Sequence, residues 1–336
     1  MTENGYAVRL KGVTKRFGKH TAVSALDLEV PRGIICGLLG PNGSGKTTTI
    51  RMIMGILLPD EGTVSLFGGD PDLTRRTKVG YLPEERGVYR KMKCMDFITF
   101  LAEIRGIPRA EGKRRAHQWL ERLGLPEWAD KKVEDLSKGM QQKIQFIGTV
   151  IHEPELLILD EPFSGLDPIN QDVLEEIVRD FRSKGTTILF STHLMDQAER
   201  LCERVCLISK SHKVIDANLR ALKASERGGV VAVEFEGPDD WIAGPEVAGV
   251  ERVNGSLHLL LADNADHQAI LRRGMGSGAT ILRFDLVEPR LHEIFVRLAG
   301  SEATGDAGTP SATSMSSGKT GGEVGDRWLG GGGGGA

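Results

Sequence analysis

The sequence lacks the features that mark a secreted or membrane-spanning protein. Its first residues, MTENGYAVRLKG, do not show the basic and then apolar pattern of a signal peptide, and no run of about 18 apolar residues occurs. We therefore expect a cytosolic chain that does not itself cross a membrane.

Cysteine is scarce, and neither sign of charge dominates. One of the four cysteines lies in an apolar, strand-like run, and a Cys-x3-Cys pair has no further metal-ligating residues beside it; the four are Cys36, Cys94, Cys202 and Cys206. We expect buried thiols rather than metal ligands or disulfides. With 43 basic and 46 acidic side chains the formal net charge is −3, which gives no global signature of nucleic-acid binding. No nucleic-acid partner is expected.

The first part of the chain, residues 1–225, predicts an α/β domain. Short apolar runs alternate with helical patterns, as in a parallel or mixed sheet flanked by helices. GIICGLLG and ELLILDEP are the clearest buried strands, and both end in polar residues, where open α/β sheets place ligands. Residues 95–152 contain three helical patterns and no clear strand, which predicts a helical subdomain inserted into the sheet domain.

The rest of the chain divides into two pieces. Residues 226–299, here called the C-terminal module, predict a small α+β fold in the order strand, strand, helix, strand, helix, from GVVAVEFEG, SLHLLLAD, DHQAILRRG, TILRFDLVEP and LHEIFVRLAG. Residues 300–336 are rich in glycine, serine and threonine and end in GGGGGGA. This composition predicts a disordered tail.

A phosphate-binding loop follows the first buried strand. GPNGSGKT fits the pattern G-x-x-x-x-G-K-[ST] and opens a helical run. In this pattern the backbone N–H groups surround the phosphates, Lys46 reaches the β- and γ-phosphates, and the Thr47 hydroxyl faces Mg²⁺. The predicted ATP-binding residues here are Gly40, Pro41, Asn42, Gly43, Ser44, Gly45, Lys46, Thr47 and Thr48.

The second buried strand ends in two acids. LLILDEP delivers Asp160 towards the metal, and Glu161 follows as the candidate base for the attacking water. A solvated strand end is the alternative, but a buried strand rarely ends in two acids without a cation. No guanine-reading N-K-x-D motif occurs, which favours ATP over GTP.

Together with LSKGMQQ and STHLMDQAE, these motifs resemble the nucleotide-binding subunit of an ATP-binding-cassette (ABC) transporter over residues 6–218. The resemblance implies a P-loop NTPase cassette with a RecA-like mixed-sheet core. It further implies Mg²⁺-dependent ATP hydrolysis, two subunits stacked around two ATP molecules, and a separate permease that holds the chain at the cytoplasmic face of the membrane. The rival interpretation is a non-transport ABC ATPase that acts on ribosomes or nucleic acid.

The resemblance assigns a signature segment that would touch the ATP of the opposite subunit: Ser137, Lys138, Gly139, Met140 and Gln141. The family usually has Leu-Ser-Gly-Gly-Gln here, so Lys138 and Met140 are departures, similar to one branch of bacterial export ATPases. The resemblance leaves two orientations open for the Lys138 side chain, towards phosphate or towards solvent. The dimer-interface loop would be Ser164, Gly165, Leu166 and Asp167.

Two further positions match the family's nucleotide contacts. Phe17 lies where an aromatic ring stacks on adenine, and a core phenylalanine is the alternative. His193, one residue past the strand TTILFST, matches the switch histidine that contacts the γ-phosphate, and a structural histidine is the alternative.

Glu84, in VGYLPEERGVYRKM, occupies a position where the family normally has glutamine beside Mg²⁺ and the attacking water. We interpret it as a metal-facing ligand that is sensitive to the permease. The alternatives are an ion pair with Arg86 or Lys78, or a register in which Glu85 faces the site. The following RGVYRKM is either the permease-docking edge or a solvated loop.

The C-terminal module resembles the small domain appended to ABC subunits of the sodium-extrusion and antibiotic-efflux type. Two roles stay open for it: a lid that regulates the enzyme or stabilises the dimer, and a structural cap.

Overall fold

The computed structural model describes residues 5–301, apart from residues 86, 226–228, 254–255 and 263–264. Three β-sheets and ten α-helices make up this part of the chain. None of the described helices is long and apolar enough to cross a membrane. The predicted disordered tail lies outside the described residues from position 302 onward, whereas its first two residues belong to the last helix.

An antiparallel sheet of three strands begins the chain, and it was not predicted as separate from the main sheet. β1 (Tyr6–Phe17) pairs with β2 (His20–Pro31) on one side and, on the other, with β4 (Glu61–Leu66). A two-residue turn joins β1 to β2 and leaves Phe17 opposite His20 at the outer end of this hairpin.

A six-stranded sheet forms the centre of the cassette, in the order β5-β6-β7-β3-β8-β9. Its pairs are parallel except for β8 with β9. The strands are β3 (Ile35–Leu39), β5 (Val79–Leu82), β6 (Leu156–Asp160), β7 (Thr187–Thr192), β8 (Arg204–Ser209) and β9 (His212–Asn218). β3, β6 and β7 are buried at every position, as parallel strands covered on both faces should be. The predicted mixed sheet is confirmed.

Each face of the central sheet has its own hydrophobic core. Leu156 and Ile158 of β6 pack with α1 (Lys46–Ile53) and the antiparallel sheet. Leu157 and Leu159 point to the opposite face, because side chains alternate along a strand, and they pack with the helical subdomain.

The helical subdomain contains the three predicted helices, α3 (Cys94–Ile104), α4 (Arg109–Arg122) and α5 (Lys138–Val150). Four further helices complete the cassette: α2 (Leu73–Arg76), α6 (Pro168–Ser183), α7 (Met195–Leu201) and α8 (Leu219–Ser225).

The C-terminal module has a four-stranded antiparallel sheet in the order β11-β12-β10-β13. Its elements are β10 (Val230–Glu236), β11 (Val247–Val253), β12 (Ser256–Leu261), α9 (His267–Gly276), β13 (Thr280–Leu286) and α10 (Leu291–Ser301). The predicted order of elements was wrong in one respect, because β11 was missed. Mostly exposed along its length and interrupted by Gly249, this edge strand offers no apolar run to recognise.

α10 leaves the sheet of the C-terminal module and packs against the cassette. Leu291 and Ile294 are almost completely buried in the same core cluster as Met195 and Leu201 of α7. The Leu291 N–H also donates a hydrogen bond to Glu199 Oε1 over 2.7 Å.

All four cysteines are buried, as predicted, and their thiols are free. Burial raises the pKa of Cys36 to about 12 and that of Cys94 to about 11. These thiols therefore stay protonated near neutral pH and act as small apolar side chains.

Candidate functional site

The phosphate-binding loop connects β3 to α1 and is tightly enclosed. A Cβ atom at Gly40 would lie 2.1 Å from the Ile208 carbonyl oxygen, and one at Gly45 would lie 2.4 Å from the Ala22 carbonyl oxygen. Both glycines also have positive φ angles, of 148° and 108°. Only glycine meets both demands, so the loop keeps its backbone N–H groups available at the start of α1.

Lys46 is buried beneath this loop. Its ammonium donates hydrogen bonds to the carbonyls of Gly40 (2.8 Å) and Pro41 (3.2 Å) and lies 3.6 Å from Glu161 Oε1. The side chain is therefore held in place inside the loop, where it can bind the terminal phosphates.

Asp160 ends β6, and Glu161 follows it in a different backbone conformation. Asp160 is buried, and Ser191 Oγ on β7 donates a 2.5 Å hydrogen bond to its Oδ1, whereas its Oδ2 is buried without a partner. Glu161 has a φ angle of +49°, in the left-handed region that side chains other than glycine rarely adopt. The two adjacent carboxylates are thus directed differently.

His193 follows β7 and faces Glu161. Its Nδ1 lies 3.1 Å from each carboxylate oxygen of Glu161. The structure therefore brings the predicted base, the predicted switch histidine and Lys46 together at the carboxyl ends of neighbouring parallel strands.

A cavity of about 390 Å³ joins Lys46 and Glu161, but not His193, to Phe17. Its lining residues are Phe17, His20, Ala22, Asn42, Gly43, Gly45, Lys46, Thr47, Thr48, Glu84 and Glu161. Phe17 is 49% exposed, and Lys15 Nζ lies 5.8 Å from the centre of its ring. The interpretation of Phe17 as a core residue is therefore wrong, and its ring is free to meet a ligand.

Glu84, rather than Glu85, lines this cavity. It also borders a smaller cavity of about 180 Å³ together with Asp160 and Glu161. Glu85 instead offers its backbone carbonyl to Gln145 Nε2 at 3.4 Å. Lys78 forms its ion pair with Glu155, over 2.9 Å. Arg86, the other candidate partner of Glu84, lies outside the described residues.

The signature segment lies at the start of α5. Ser137 is the N-cap, and its Oγ accepts a hydrogen bond from Met140 N–H over 3.3 Å. Ser137 and Lys138 are exposed, and Gly139, Met140 and Gln141 are partly buried. None of the five belongs to the lining of the 390 Å³ cavity.

The predicted dimer-interface loop connects β6 to α6 and is largely exposed. Ser164, Gly165 and Asp167 are open to solvent, while Leu166 is half-buried. Asp167 caps α6 by accepting the Asn170 N–H over 3.0 Å, and this bond holds the pKa of Asp167 below its usual value.

Comparison with known proteins agrees with this geometry. The family model described as "ABC transporter" matches residues 23–164, and the model described as "ATP-binding protein DrrA1-3-like, C-terminal domain" matches residues 218–299. The uncharacterized ABC transporter ATP-binding protein YhaQ of Bacillus subtilis is 44% identical over 293 residues, covering 86% of this chain and 97% of the relative. The chain belongs to the family of ABC transporter ATP-binding subunits.

Other relatives of this ABC subunit support the assignment. The Nod factor export ATP-binding protein I of Paraburkholderia xenovorans is 36% identical over 300 residues, which cover 88% of this chain and 98% of the relative. A solved ATP-binding subunit of an ABC transporter superposes with a TM-score of 0.61 at 30% identity, covering 66% of this chain and 93% of that one. CbiO1 of Clostridium perfringens, part of the ABC transporter complex cbiONQ, shares the fold with a TM-score of 0.58 at 24% identity.

Membership makes this ABC subunit a nucleotide-binding protein and an ATPase. The site has groups suited to this reaction: a phosphate-binding loop with its lysine and an acid at the cavity, and a histidine in contact with that acid. The unpartnered Asp160 Oδ2 and the Thr47 side chain at the cavity are oxygen donors of the type that Mg²⁺ prefers.

Three polar residues that were not predicted from the sequence lie behind the ABC site and bond to the segments that form it. Gln142 Nε2 donates to the Pro162 carbonyl over 2.5 Å, and Gln145 holds the loop that carries Glu84 and Glu85. Ser191 bonds Asp160 directly. The only hint of Ser191 in the sequence was its position two residues before His193. Nothing in the sequence identified Asp160 as its hydrogen-bond partner.

Proposed function

We propose that this ABC ATPase pairs with a second ATP-binding subunit around two ATP molecules and drives a separate membrane permease, in the direction of export. One observation carries the proposal. Part of the phosphate-binding loop lines the cavity together with Lys46 and Glu161, while the signature segment lies outside it and begins with two exposed residues. A second subunit would supply the missing anion-binding helix start.

In this proposal Glu161 orients and polarises the water that attacks the γ-phosphate in line. Lys46 and His193, both in contact with Glu161 here, would neutralise charge on the transferred group. The loop N–H groups would bind the remaining phosphates, and the exposed ring of Phe17 would stack on adenine.

We assign Mg²⁺ to Thr47, Asp160 and Glu84. The buried, unpartnered Asp160 Oδ2 supports this assignment. A buried carboxylate oxygen without a hydrogen-bond donor needs either a cation or a water molecule that is bound to a cation. When bound, the ion would neutralise the β- and γ-phosphates.

The paired subunits would meet along the loop that contains Ser164 and Asp167. Ile169, at the start of α6, and Leu194, beside His193, are 76% and 46% exposed. Exposed apolar side chains close to Asp167 and His193 in the sequence suit a surface that is covered when two subunits close. The second subunit is either another copy of this chain or a related one.

The variant Glu161→Gln tests the hydrolytic and pairing parts of the proposal. We expect ATP binding to persist, turnover to fall by about 10²–10⁴-fold, and an ATP-bound dimer to accumulate. Light scattering with and without ATP, combined with steady-state hydrolysis, measures both effects. Glu153→Gln, at an exposed carboxylate, is the matched control. Hydrolysis of Glu161→Gln near the parent rate would contradict the assignment.

The permease would dock beside the loop after Glu84. Tyr89 packs edge-on against Phe97 and Phe100, with ring centres 6.1 and 5.9 Å apart, yet stays 58% exposed. Ile104, on the same helix as the two phenylalanines, is 61% exposed. This apolar surface, here called the Tyr89 patch, is defined by Tyr89, Phe100 and Ile104. The exposed cations Arg90, Lys91 and Lys93 lie next to it in the sequence.

Docking on a permease would hold the chain at the cytoplasmic face of the membrane as a peripheral subunit. Export is supported by relatives whose names state it, such as the Nod factor export proteins. The substrate would be chosen by the permease. We further propose a division into a cassette (residues 1–225, with a helical subdomain at about 95–152) and the C-terminal module (226–299), which acts as a lid or a cap.

A further inference from the structure

Ser191 is a fully buried hydroxyl beside the two acids of the site. It lies on β7, directly across from Asp160 in the parallel pairing with β6. It does not line the nucleotide cavity. Any role in the reaction must therefore act through other residues.

One hydroxyl bonds both acidic residues. The Glu161 N–H donates to Ser191 Oγ over 3.1 Å, and Ser191 Oγ lies 2.5 Å from Asp160 Oδ1. A backbone N–H can only donate, so the serine oxygen accepts from Glu161 and its single hydrogen is left for Asp160. The direction of both hydrogen bonds is thus determined.

The bond to Asp160 fixes which oxygen remains available. Oδ1 accepts the serine hydrogen, and Oδ2 is left buried without a partner. Rotation of the carboxylate would lose the charge-assisted bond, which is stronger than a neutral one. Ser191 therefore leaves Oδ2 as the Asp160 oxygen available to the metal ion proposed above.

The bond to Glu161 supports an unfavourable backbone conformation. Glu161 adopts a φ angle of +49°, and its N–H is shared between the hydroxyl and the carbonyl oxygen of Ser191, at 3.1 and 3.3 Å. Such conformations persist where the surroundings supply enough bonds. This turn directs the Glu161 carboxylate towards His193 and Lys46.

We propose that Ser191 is a positioning residue that assigns the two adjacent carboxylates their separate tasks, Asp160 to the metal and Glu161 to the water. The inference rests on the proposed roles of those two acids. Loss of the hydroxyl would free the Asp160 carboxylate to rotate and weaken the turn at Glu161 together, without removing any group that touches the nucleotide.

The test compares Ser191→Ala, Ser191→Thr and Thr187→Val in the full chain. Thr187 is the matched control, because it is a buried hydroxyl on the same strand whose Oγ1 accepts the Gly33 N–H over 2.9 Å at the end away from the site. For Ser191→Ala we expect kcat to fall about 10–100-fold and the Mg²⁺ concentration for half-maximal activity to rise, with KM for ATP little changed. Ser191→Thr keeps the hydroxyl, so its kcat and its Mg²⁺ concentration for half-maximal activity should lie between those of Ser191→Ala and the parent.

A second readout does not depend on turnover. Mn²⁺ binding to the ATP-loaded Glu161→Gln protein, with and without Ser191→Ala, is measured from the free Mn²⁺ signal in electron paramagnetic resonance. We expect roughly tenfold weaker Mn²⁺ binding with Ser191→Ala and no change with Thr187→Val. If Ser191→Ala does not fold, the same measurements on Ser191→Cys, whose thiol is a weaker donor, should give an intermediate loss.

The outcomes distinguish a failure of the proposed role of Ser191 from a failure of the proposed catalytic site. Parental kcat and Mn²⁺ affinity in Ser191→Ala, or equal losses in Thr187→Val, overturn the role of Ser191 while Glu161→Gln remains inactive. Near-parental turnover in Glu161→Gln itself overturns the proposed site, and with it the premise of this inference.

Discussion

β6 of the cassette and β10 of the C-terminal module are both central strands with buried apolar residues, yet they end differently. β6 ends in Asp160 and continues into Glu161, both buried. The last residue of β10, Glu236, is exposed, and Glu234 two residues earlier is bonded to Ser256 and Arg283, over 2.9 and 3.6 Å. One strand delivers two buried acids to the site, and the other ends in an exposed acid.

The same difference extends over both units. Among the described residues, every buried polar or charged side chain lies at or before Ser211, and none lies in the C-terminal module. Buried charge is costly unless a partner or ligand compensates it, so it marks where a protein does chemistry. The buried polar groups on which the proposed reaction depends therefore lie in the cassette.

The C-terminal module packs on an element next to the site. α10 covers α7, which begins two residues after His193, and Glu199 of α7 bonds both the Leu291 N–H (2.7 Å) and Lys223 (3.1 Å). The C-terminal module is thus attached to the helix that follows the switch histidine. A lid could act on the site through this contact, whereas a cap would only stabilise α7.

The variant Leu291→Ala probes this contact most strongly. Loss of a buried leucine should lower the free energy of unfolding by about 2–5 kcal/mol. Val296→Ala on the same helix is the control, because Val296 is 55% exposed and its truncation should cost less than about 0.5 kcal/mol. Urea unfolding of both variants measures the difference. Equal effects would contradict the packing of α10 on α7. An accompanying change in ATP turnover would favour the lid, and unchanged turnover the cap.

The variant Tyr89→Ala tests whether the permease docks on the cassette and not on the C-terminal module. Truncation of a central aromatic contact typically weakens an interface by about 2 kcal/mol, or roughly 30-fold in affinity. Tagged chains are purified from detergent-solubilised membranes, and the integral-membrane protein recovered with them is quantified. Val250→Ala, at a position 49% exposed on β11, should retain the partner. Equal losses would contradict the docking site, and recovery only in ribosomal or nucleoid fractions would favour the rival function.

Much of the cassette could be predicted because its signals are local. The apolar runs of β3 and β6 have polar residues at their ends, and the phosphate-binding loop is constrained by glycines that the chain geometry requires. The helices of the subdomain show the apolar spacing typical of amphipathic helices. Each of these features is contained in a few consecutive residues.

What could not be predicted depends on contacts between distant segments. The bond from Ser191 to Asp160 exists only because β6 and β7 pair in one register. The exposure of Phe17 follows from its place at the end of the β1–β2 hairpin. β11 forms because β12 pairs with it, since its own residues lack a regular apolar pattern.

The orientation of Glu84 towards the cavity also could not be predicted from the sequence. A pair of substitutions tests whether this orientation affects the Mg²⁺ dependence. Glu84→Gln restores the family's usual residue, so we expect most hydrolysis to remain while the Mg²⁺ concentration for half-maximal activity rises by at most about fivefold, because the side chain is exposed and its charge is screened. The shift should shrink as salt is added. Glu85→Gln, whose side chain does not line the cavity, should leave the Mg²⁺ dependence unchanged. A loss of turnover as deep as that of Glu161→Gln would make Glu84 a second base, and equal shifts in both variants would reduce its role to general surface charge.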